Sequence, residues 1–152
     1  SYSDLDIGKD CIILLCGASI LPESFVNNHR IINSHPGYIP CCRGLDALKW
    51  AIVKEQPIGV TTHFLGNEID AGEVIERKIV SVYYEDTFHA LAQRVYETEI
   101  DMLVNAIDKI NDLHEYVSGE GYEIYRRMPH NIELNLMEQF NKLKERLNYK
   151  QV

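Results

Sequence analysis

Residues 31–44 read Ile-Ile-Asn-Ser-His-Pro-Gly-Tyr-Ile-Pro-Cys-Cys-Arg-Gly. The apolar pair at the start is typical of a buried strand, and the two prolines and two glycines that follow stop the strand in a loop. Because alternate residues of an extended chain point to the same side, Asn33 and His35 project together from the strand end. Pro36 favours an extended backbone at His35, which supports this geometry.

The Asn-x-His pair does not establish a function by itself, because polar residues at a strand end are more often loop caps or surface contacts than catalysts. A second segment, residues 58–80, strengthens the functional interpretation of the pair. It reads Ile-Gly-Val-Thr-Thr-His-Phe-Leu, continues through the polar loop Gly66-Asn67-Glu68, turns at Ile69-Asp70-Ala71-Gly72 and ends in an alternating run. This pattern predicts two strands with an acidic loop between them.

Five motifs in these two segments, taken together, resemble the folate-dependent formyltransferase family. The motifs are Asn33-x-His35-Pro36, Ile39-Pro40, Arg43-Gly44, Ile58-Gly59-Val60-Thr61-x-His63 and Ile69-Asp70-x-Gly72. Each motif is weak alone, but five of them in the family order are specific. The family includes glycinamide ribonucleotide, methionyl-tRNA and nucleotide-sugar formyltransferases. The resemblance implies an α/β protein with a partial Rossmann-like formyltransferase fold, in which helices flank a mixed sheet.

The resemblance covers most of the chain but only the later part of the family's usual catalytic domain. Full-length members begin with a nucleotide-fold half that carries a glycine-rich turn, and no G-x-G-x-x-G turn occurs in this sequence. The chain starts with Ser1 and its first methionine is Met102, so we expect that the N-terminal part of the domain is missing. Residues 1–112 are predicted to be the C-terminal part of the catalytic domain, and residues 113–152 a helical extension packed on it.

Composition limits the class of protein. A chain of 152 residues with 45% hydrophobic residues fits one globular domain. No apolar run approaches the roughly 20 residues of a membrane helix, and no signal peptide is visible, which predicts a cytoplasmic protein. The net charge of -8 argues against nucleic acid as a partner, because neutralising phosphates requires clustered Lys and Arg. We expect a small-molecule partner and no membrane, and a homodimer stays open.

The four cysteines are Cys11, Cys16, Cys41 and Cys42, and they lack the paired spacing of a zinc site. We therefore predict reduced cysteines and no metal. The adjacent pair Cys41-Cys42 could be a redox device or a pair of metal ligands. Small loop residues near a pocket are the favoured interpretation.

Apolar periodicity predicts the other elements of the chain. A buried parallel strand is expected at residues 10–15, because this apolar run shows no alternation. A long amphipathic helix is expected at residues 87–110, with its apolar stripe in the core. This stripe consists of Phe88, Leu91, Val95, Leu103, Ile107 and Ile110. The remaining predicted elements are a short helix opened by Pro22, a helix at 45–54, a strand at 74–82 and a last helix at 132–147.

The resemblance assigns catalysis to Asn33, His35 and Asp70, with N10-formyltetrahydrofolate as the formyl donor. Moving a formyl group from N10 to an amine gives an oxygen that gains negative charge and a nitrogen that gains positive charge. The Asn33 amide can donate to this oxygen, and a histidine, with an ordinary pKa of about 6.5, can exchange the amine proton near neutral pH. A carboxylate at position 70 can orient the imidazole. Without the resemblance, Asp70 would be read as a turn residue.

The resemblance also implies the residues that bind the two ligands. The pattern alone would assign Ile20 and Leu21 to the core, whereas the matching family positions line the pterin pocket. Arg43 is a candidate anion ligand, although it could equally be a surface charge. The predicted folate-binding residues are Ser19, Ile20, Leu21, His63, Gly66, Asn67, Glu68 and Asp70. The predicted acceptor-binding residues are Tyr38, Arg43, Arg126 and Arg127.

The acceptor itself is the least determined feature. Arg-Arg-Met-Pro at residues 126–129 resembles a segment of many sugar-modifying members, which favours a nucleotide-linked amino sugar. A glycinamide ribonucleotide formyltransferase and a formyltetrahydrofolate hydrolase, in which water replaces the amine, would use the same three catalytic residues. An inactive remnant that acts as a binding module is the alternative from a different class.

Overall fold

The computed structural model describes residues 7–8, 11–17 and 21–148. Its strands are β1 (Ile12–Leu15), β2 (Arg30–His35), β3 (Arg43–Gly44), β4 (Gly59–Phe64), β5 (Gly72–Ile79), β6 (Glu115–Val117) and β7 (Ile124–Tyr125). Its helices are α1 (Glu23–Asn28), α2 (Ala47–Val53), α3 (Phe88–Lys109), α4 (His130–Glu133) and α5 (Leu136–Asn148).

The main sheet has the strand order β1-β2-β4-β5-β6, and β3 pairs with β7 in a separate parallel ribbon. Within the main sheet β1 runs parallel to β2, whereas the other neighbours are antiparallel. The α/β prediction of a mixed sheet flanked by helices is therefore confirmed. The strands β4 and β5 on either side of the acidic loop also form, although β5 spans Gly72–Ile79 and not 74–82.

The first strand is less buried than its sequence indicates. All four residues of β1 are half-buried, so the prediction of a strand covered on both faces is wrong for this structure. Within the described residues β1 has a sheet partner on one side only, namely β2. The fully buried strand is instead β4, in which every residue is buried because β2 and β5 flank it and α3 covers one face.

Helix α3 covers one face of the main sheet. Its residues Leu103 and Ala106 pack against Ile32 of β2 and Phe64 of β4. A larger core lies at the other end of the helix, where α2 and α5 meet it. The buried residues of this larger core include Trp50, Val60, Leu91, Val95, Met102, Leu136 and Phe140.

The long helix forms nearly where the periodicity places it, and Thr87 caps it by accepting a hydrogen bond from Ala90 N–H at 3.0 Å. One member of the predicted stripe was assigned wrongly, because Ile107 is 51% exposed. Each residue of an α-helix turns about 100°, so Ile107 lies about 120° around the axis from Val95. Ala106 lies only about 20° from Val95 by the same count, and it is buried.

The C-terminal part of the chain is only partly helical. The predicted last helix is broken into α4 and α5, and Asn135, a residue type that favours caps over helix interiors, lies at the break. Strand β6 joins the main sheet, and Phe140 of α5 packs in the same core as Trp50. The domain division at residue 112 stays a prediction. None of the helices in the described part of the chain has the length and apolar character needed to span a membrane.

The structure predicts different costs for two apolar residues of the same helix. Leu91→Ala should lower the free energy of unfolding by about 2–5 kcal/mol, because Leu91 is fully buried and its truncation leaves a cavity. Ile107→Ala is the control and should cost roughly 0.5 kcal/mol or less. Urea unfolding of both variants provides the measurement, and equal losses would contradict the observed orientation of α3.

Candidate active site

The pairing of β2 with β4 brings four polar side chains to one face of the sheet. Asn33 lies opposite His63, and His35 lies opposite Thr61. Side chains alternate between the faces of a strand, and the even-numbered neighbours Ile32 and Phe64 point toward α3. The four polar residues therefore lie on the opposite face, away from α3.

Asp70 reaches this face from the loop between β4 and β5. Its Oδ2 atom lies 3.6 Å from His35 Nδ1, and its Oδ1 atom lies 3.8 Å from His63 Nε2. Oδ2 also accepts a 2.8 Å hydrogen bond from the Gly44 N–H. The backbone of Asp70 has φ 44°, a left-handed conformation that aspartate tolerates better than most residues. One carboxylate thus faces two imidazole rings.

The orientation of His35 is fixed by the loop that follows it. Its Nε2 atom lies 2.9 Å from the Cys42 carbonyl oxygen, and a carbonyl can only accept, so Nε2 carries a proton. The nitrogen that faces Asp70 is therefore Nδ1. A Cβ at Gly37 would lie 2.4 Å from the Cys42 oxygen and 2.6 Å from His35 Nε2, so only glycine fits there. Burial raises the pKa of the Cys42 thiol to about 12, so the site uses the backbone of this cysteine and not a thiolate.

His63 is fully buried beside the same carboxylate. Its Nδ1 atom donates to the Phe64 carbonyl at 3.1 Å, which leaves the Nε2 lone pair facing the Asn33 Nδ2 atom at 3.4 Å. Burial lowers the pKa of His63 to about 4, although the Asp70 carboxylate acts in the opposite direction. His63 is therefore neutral at pH 7, and its lone pair orients the Asn33 amide.

The sequence prediction did not foresee the part that Thr61 takes in this arrangement. Its hydroxyl donates to the Gly37 carbonyl at 2.8 Å and accepts from the Ile39 N–H at 3.0 Å. Thr61 thereby fastens the loop that orients His35. A buried threonine within a central strand is an ordinary core residue by pattern, so local sequence carried no signal for this role.

Two residues predicted to bind the acceptor are engaged elsewhere. Tyr38 lies under the Arg77 guanidinium, 5.3 Å from its ring centroid, and its ring packs against Gly59. Arg43 is buried, and its N–H groups donate to the carbonyl oxygens of Ile69, Asp70 and Gly119. These contacts engage all three nitrogens of the guanidinium group within the protein, so the role of Arg43 as an anion ligand stays a prediction.

Arg126 and Arg127 lie in the exposed segment after β7. The Arg126 carbonyl accepts a 2.8 Å hydrogen bond from the Trp50 indole N–H, which fixes the backbone of this segment against α2. β7 pairs with β3, which ends at Gly44 beside Asp70. Both arginine side chains therefore stay available to solvent on a segment that adjoins the site.

The predicted folate-binding residues are placed in part. Ser19 and Ile20 lie outside the described residues, and Leu21 is half-buried just before α1. Gly66, Asn67 and Glu68 are exposed on the loop that leads to Asp70. A cavity of about 550 Å³ lies beside this loop. Its lining residues are Arg43, Asn67, Glu68, Ile69, Ser118, Gly119, Glu120 and Ile124.

The segment 118–124 was not predicted to line a site. The sequence signal was limited to Gly119-Glu120-Gly121, which indicates a break between elements. Residues 7–8, 11–17 and 21–148 contain no group of three or more His, Cys, Asp or Glu side chains arranged to hold a metal ion. All four cysteines are free thiols.

Comparison of the sequence with known proteins identifies formyltransferases. A family model described as formyl transferase matches residues 5–107, a range that contains Asn33, His35, His63 and Asp70. The methionyl-tRNA formyltransferase of Thermosynechococcus vestitus is 27% identical over 122 residues, which cover 78% of this chain and 37% of that protein. The chain thus spans little more than a third of the length of this curated relative.

Formyltransferases are among the solved structures with a similar fold. A 4-N formyltransferase from Francisella tularensis aligns with a TM-score of 0.67 and 25% identity over 91% of this chain and 64% of that one. A formyltransferase from Anoxybacillus kamchatkensis was solved in complex with UDP-4,6-dideoxy-4-formamido-L-AltNAc and tetrahydrofolate. It aligns with a TM-score of 0.65 and 22% identity over 80% of this chain and 66% of that one, a likeness that concerns the fold.

The neutral state of His63 predicts a specific dependence of stability on pH. The pKa of His63 is about 4 in the folded protein, below the ordinary value of 6.5, so the unfolded chain binds a proton that the native protein does not. The resulting loss of unfolding free energy is zero well above pH 6.5, grows as the pH falls, and is complete below about pH 4. Between pH 7 and pH 4.5, the wild type should therefore lose about 2 kcal/mol more unfolding free energy than His63→Gln.

Urea unfolding of both proteins at the two pH values gives this difference. His89→Gln, a change at an exposed position of α3, is the control and should follow the wild type at both pH values. Parallel losses in the wild type and His63→Gln would show that His63 takes up its proton in the native state.

Proposed function

The chain belongs to the formyl transferase family, and on this premise we propose that it transfers a formyl group from N10-formyltetrahydrofolate to a primary amine. The observation that carries the proposal is the position of the Asp70 carboxylate between His35 Nδ1 at 3.6 Å and His63 Nε2 at 3.8 Å, with Asn33 on the same sheet face. Proton transfer and stabilisation of negative charge are the two tasks that this reaction sets, and the cluster contains groups for both.

The surroundings of Asp70 suit a folate. A pterin is flat, with hydrogen-bonding groups along its edge, and pockets for such ligands combine apolar walls with a few polar groups. The open surface cavity of about 550 Å³ next to the loop that carries Asp70 has apolar side chains from Ile69 and Ile124 and polar ones from Asn67 and Glu68, although Asp70 itself does not line it. These residues would hold the pterin end, and the bound folate supplies the formyl group.

His35 is the residue that moves the proton. The attacking amine loses a proton when its nitrogen bonds to the formyl carbon, and the leaving nitrogen needs one when its own bond to that carbon breaks. Nε2 of His35 is committed to the Cys42 carbonyl, so Nδ1 accepts the first proton and donates the second. The Asp70 carboxylate, 3.6 Å from Nδ1, stabilises the ring while it is charged.

Asn33 is placed to stabilise the oxygen that gains negative charge. Its amide nitrogen carries two hydrogens, of which one is directed to His63 Nε2 and the second can donate to the substrate oxygen. Because His63 is neutral and its lone pair faces Asn33, the amide presents its nitrogen side at this point. Loss of one such donor typically lowers kcat by about 10²- to 10³-fold.

The acceptor that we propose is a nucleotide-linked amino sugar. Arg126 and Arg127 are exposed on the segment after β7, and β7 is tied through β3 to the residue that holds Asp70. Arginine binds phosphate through paired hydrogen bonds, so these two side chains suit a diphosphate. The Anoxybacillus protein of similar fold, solved with a UDP-linked sugar, supports this choice.

Other acceptors remain as alternatives. The methionyl-tRNA relative supports an amine carried on RNA, but the net charge of -8 disfavours an extended phosphate contact. Glycinamide ribonucleotide or water would use the same catalytic cluster. The cytoplasmic location and the homodimer stay predictions.

The variant Asp70→Asn tests whether the Asp70 carboxylate takes part in catalysis or only forms a turn. Asparagine tolerates the left-handed backbone and can accept the Gly44 N–H through its side-chain oxygen, but it removes the negative charge beside His35 Nδ1. We expect kcat to fall by about 10²-fold or more with a nearly unchanged Tm, measured by release of tetrahydrofolate. His35→Ala should be at least as damaging, and the double variant little worse than the worse single one.

Asp101→Asn, on the exposed side of α3, is the matched control and should retain full activity. Calorimetry with a 10-formyl folate analogue shows separately whether the donor still binds. Near-wild-type turnover in Asp70→Asn would exclude the carboxylate from catalysis and return it to a turn role.

The acceptor proposal predicts a preference for the nucleotide-linked substrate. The kcat/KM value should be at least about tenfold higher with a nucleotide-linked amino sugar than with the free amino sugar, because binding of the remote group orients the amine. Arg126→Gln with Arg127→Gln should remove this preference. Arg146→Gln, which breaks the exposed pair with Glu55, should keep it. Equal rates with the two substrates in the wild type would refute the nucleotide-sugar assignment.

A further inference from the structure

We propose that Arg43 is a positioning residue, which clamps the loop of Asp70 to the C-terminal segment 117–125 and so makes that segment part of the active site. This inference rests on the proposed function, because it assigns the clamp a role in placing the carboxylate beside His35. The segment lies beyond residue 107, where the match to the family model ends.

The guanidinium group of Arg43 joins two distant parts of the chain. Nε donates to the carbonyl oxygens of Ile69 at 2.9 Å and Asp70 at 3.0 Å, and Nη2 donates to Ile69 at 2.6 Å. Nη1 donates to the Gly119 carbonyl at 2.8 Å. The side chain is only 4% exposed, so these bonds are shielded from water. The planar fork of arginine can serve both directions at once, whereas a lysine ammonium cannot.

The clamp acts on the residue whose conformation needs support. Asp70 has φ 44°, and a non-glycine residue keeps such a backbone only when its surroundings hold it. Arg43 holds the backbone carbonyl of Asp70, and the next residue, Gly44, holds its side chain through the 2.8 Å bond to Oδ2. Arg43 and Gly44, which are consecutive in the chain, therefore fix the backbone and the side chain of Asp70.

The C-terminal segment is fitted closely around this pair. A Cβ at Gly119 would lie 1.8 Å from Arg43 Nη1, so only glycine can bring its carbonyl this near. The Gly119 N–H donates to Glu68 Oε2 at 3.2 Å, which adds a second tie to the same loop. A Cβ at Gly44 would lie 2.1 Å from the Tyr125 carbonyl oxygen, so β7 also approaches without a gap. Segment 117–125 thus supports the catalytic loop from two sides.

The competing role for Arg43 is the anion ligand expected from its sequence context. A ligand arginine acts through its charge, so Arg43→Lys should recover much of the function that Arg43→Ala loses. The loss should then appear as a raised KM for the nucleotide-linked acceptor alone. A clamp acts through the geometry of its donors. Arg43→Lys should therefore lower activity with every acceptor, and the loosened loop should be detectable before any substrate binds.

The test combines kinetics with hydrogen exchange of the substrate-free protein. In Arg43→Lys and Gly119→Ala we expect kcat to fall at least tenfold with both the nucleotide-linked and the free amino sugar. The KM for either sugar should change little. Residue-resolved exchange should show at least tenfold faster exchange of the Gly44 amide, which donates to Asp70. The amides in the centre of β4 should exchange as in the wild type.

Arg94→Lys is the matched control, because Arg94 forms a similar clamp on Asp86 and the Ser81 carbonyl away from the site. It should lower Tm without changing kcat or the Gly44 exchange rate. A general loss of stability would speed exchange across the sheet in all variants. The clamp instead predicts faster exchange near Asp70 alone, in Arg43→Lys and Gly119→Ala.

The proposal is overturned if Arg43→Lys restores kcat, or if the Gly44 amide keeps its wild-type exchange rate in both site variants. Should neither variant fold, the wild type decides by NMR: a slowly exchanging Arg43 Nε–H supports the clamp, and a rapidly exchanging one excludes it. If the wild type transfers no formyl group, the exchange results still decide the clamp, and only the proposed function fails.

Discussion

In the centre of the sheet, β2 pairs with β4 so that Asn33 faces His63 and His35 faces Thr61. Side chains alternate along both strands, so a slip of one residue would turn this set toward α3 and bring Ile32 and Phe64 to the site. The apolar contacts of Ile32 and Phe64 with Leu103 hold the register, because a slip would replace them with buried polar groups. The chemistry on one face therefore depends on packing on the other.

Polar residues in such a buried place must be satisfied, and here the partners also assign the roles. Within the described residues, no buried side-chain nitrogen or oxygen lacks a hydrogen-bond partner. The Cys42 carbonyl selects the proton position on His35, and the Phe64 carbonyl selects that on His63. Burial keeps His63 neutral, so the single carboxylate of Asp70 can serve His35. Two histidines beside one acid thus receive different tasks.

The loops around the sheet complete the site through close backbone approaches. Gly37 and Gly119 occur where a side chain would displace an imidazole or a guanidinium group. The carbonyl oxygens bound by Arg43 come from the loop that carries Asp70 and from the C-terminal segment, so the candidate site is assembled from parts of the chain far apart in sequence. Hydrogen bonds to a charged group contribute about 1.5–3 kcal/mol each, which is enough to keep such a loop ordered.

The sequence by itself determined the elements whose periodicity is local and the motif residues whose order is specific. Strands β4 and β5 and helix α3 followed from residues near one another in the chain, whereas the expectation that Asn33, His35 and Asp70 act together followed from the resemblance to the formyltransferase family. Two finer local features were predicted wrongly, because Ile107 is exposed and the last helix is broken at Asn135.

Only the tertiary structure decided how the same residues are used. It placed Tyr38 under Arg77, made His63 a neutral partner of Asn33, and joined Arg43 to Gly119 across 76 residues of sequence. These outcomes depend on burial and on contacts between distant segments. Periodicity and spacing describe a residue's near neighbours along the chain, whereas a hydrogen bond or a desolvated ring depends on what the fold brings beside it.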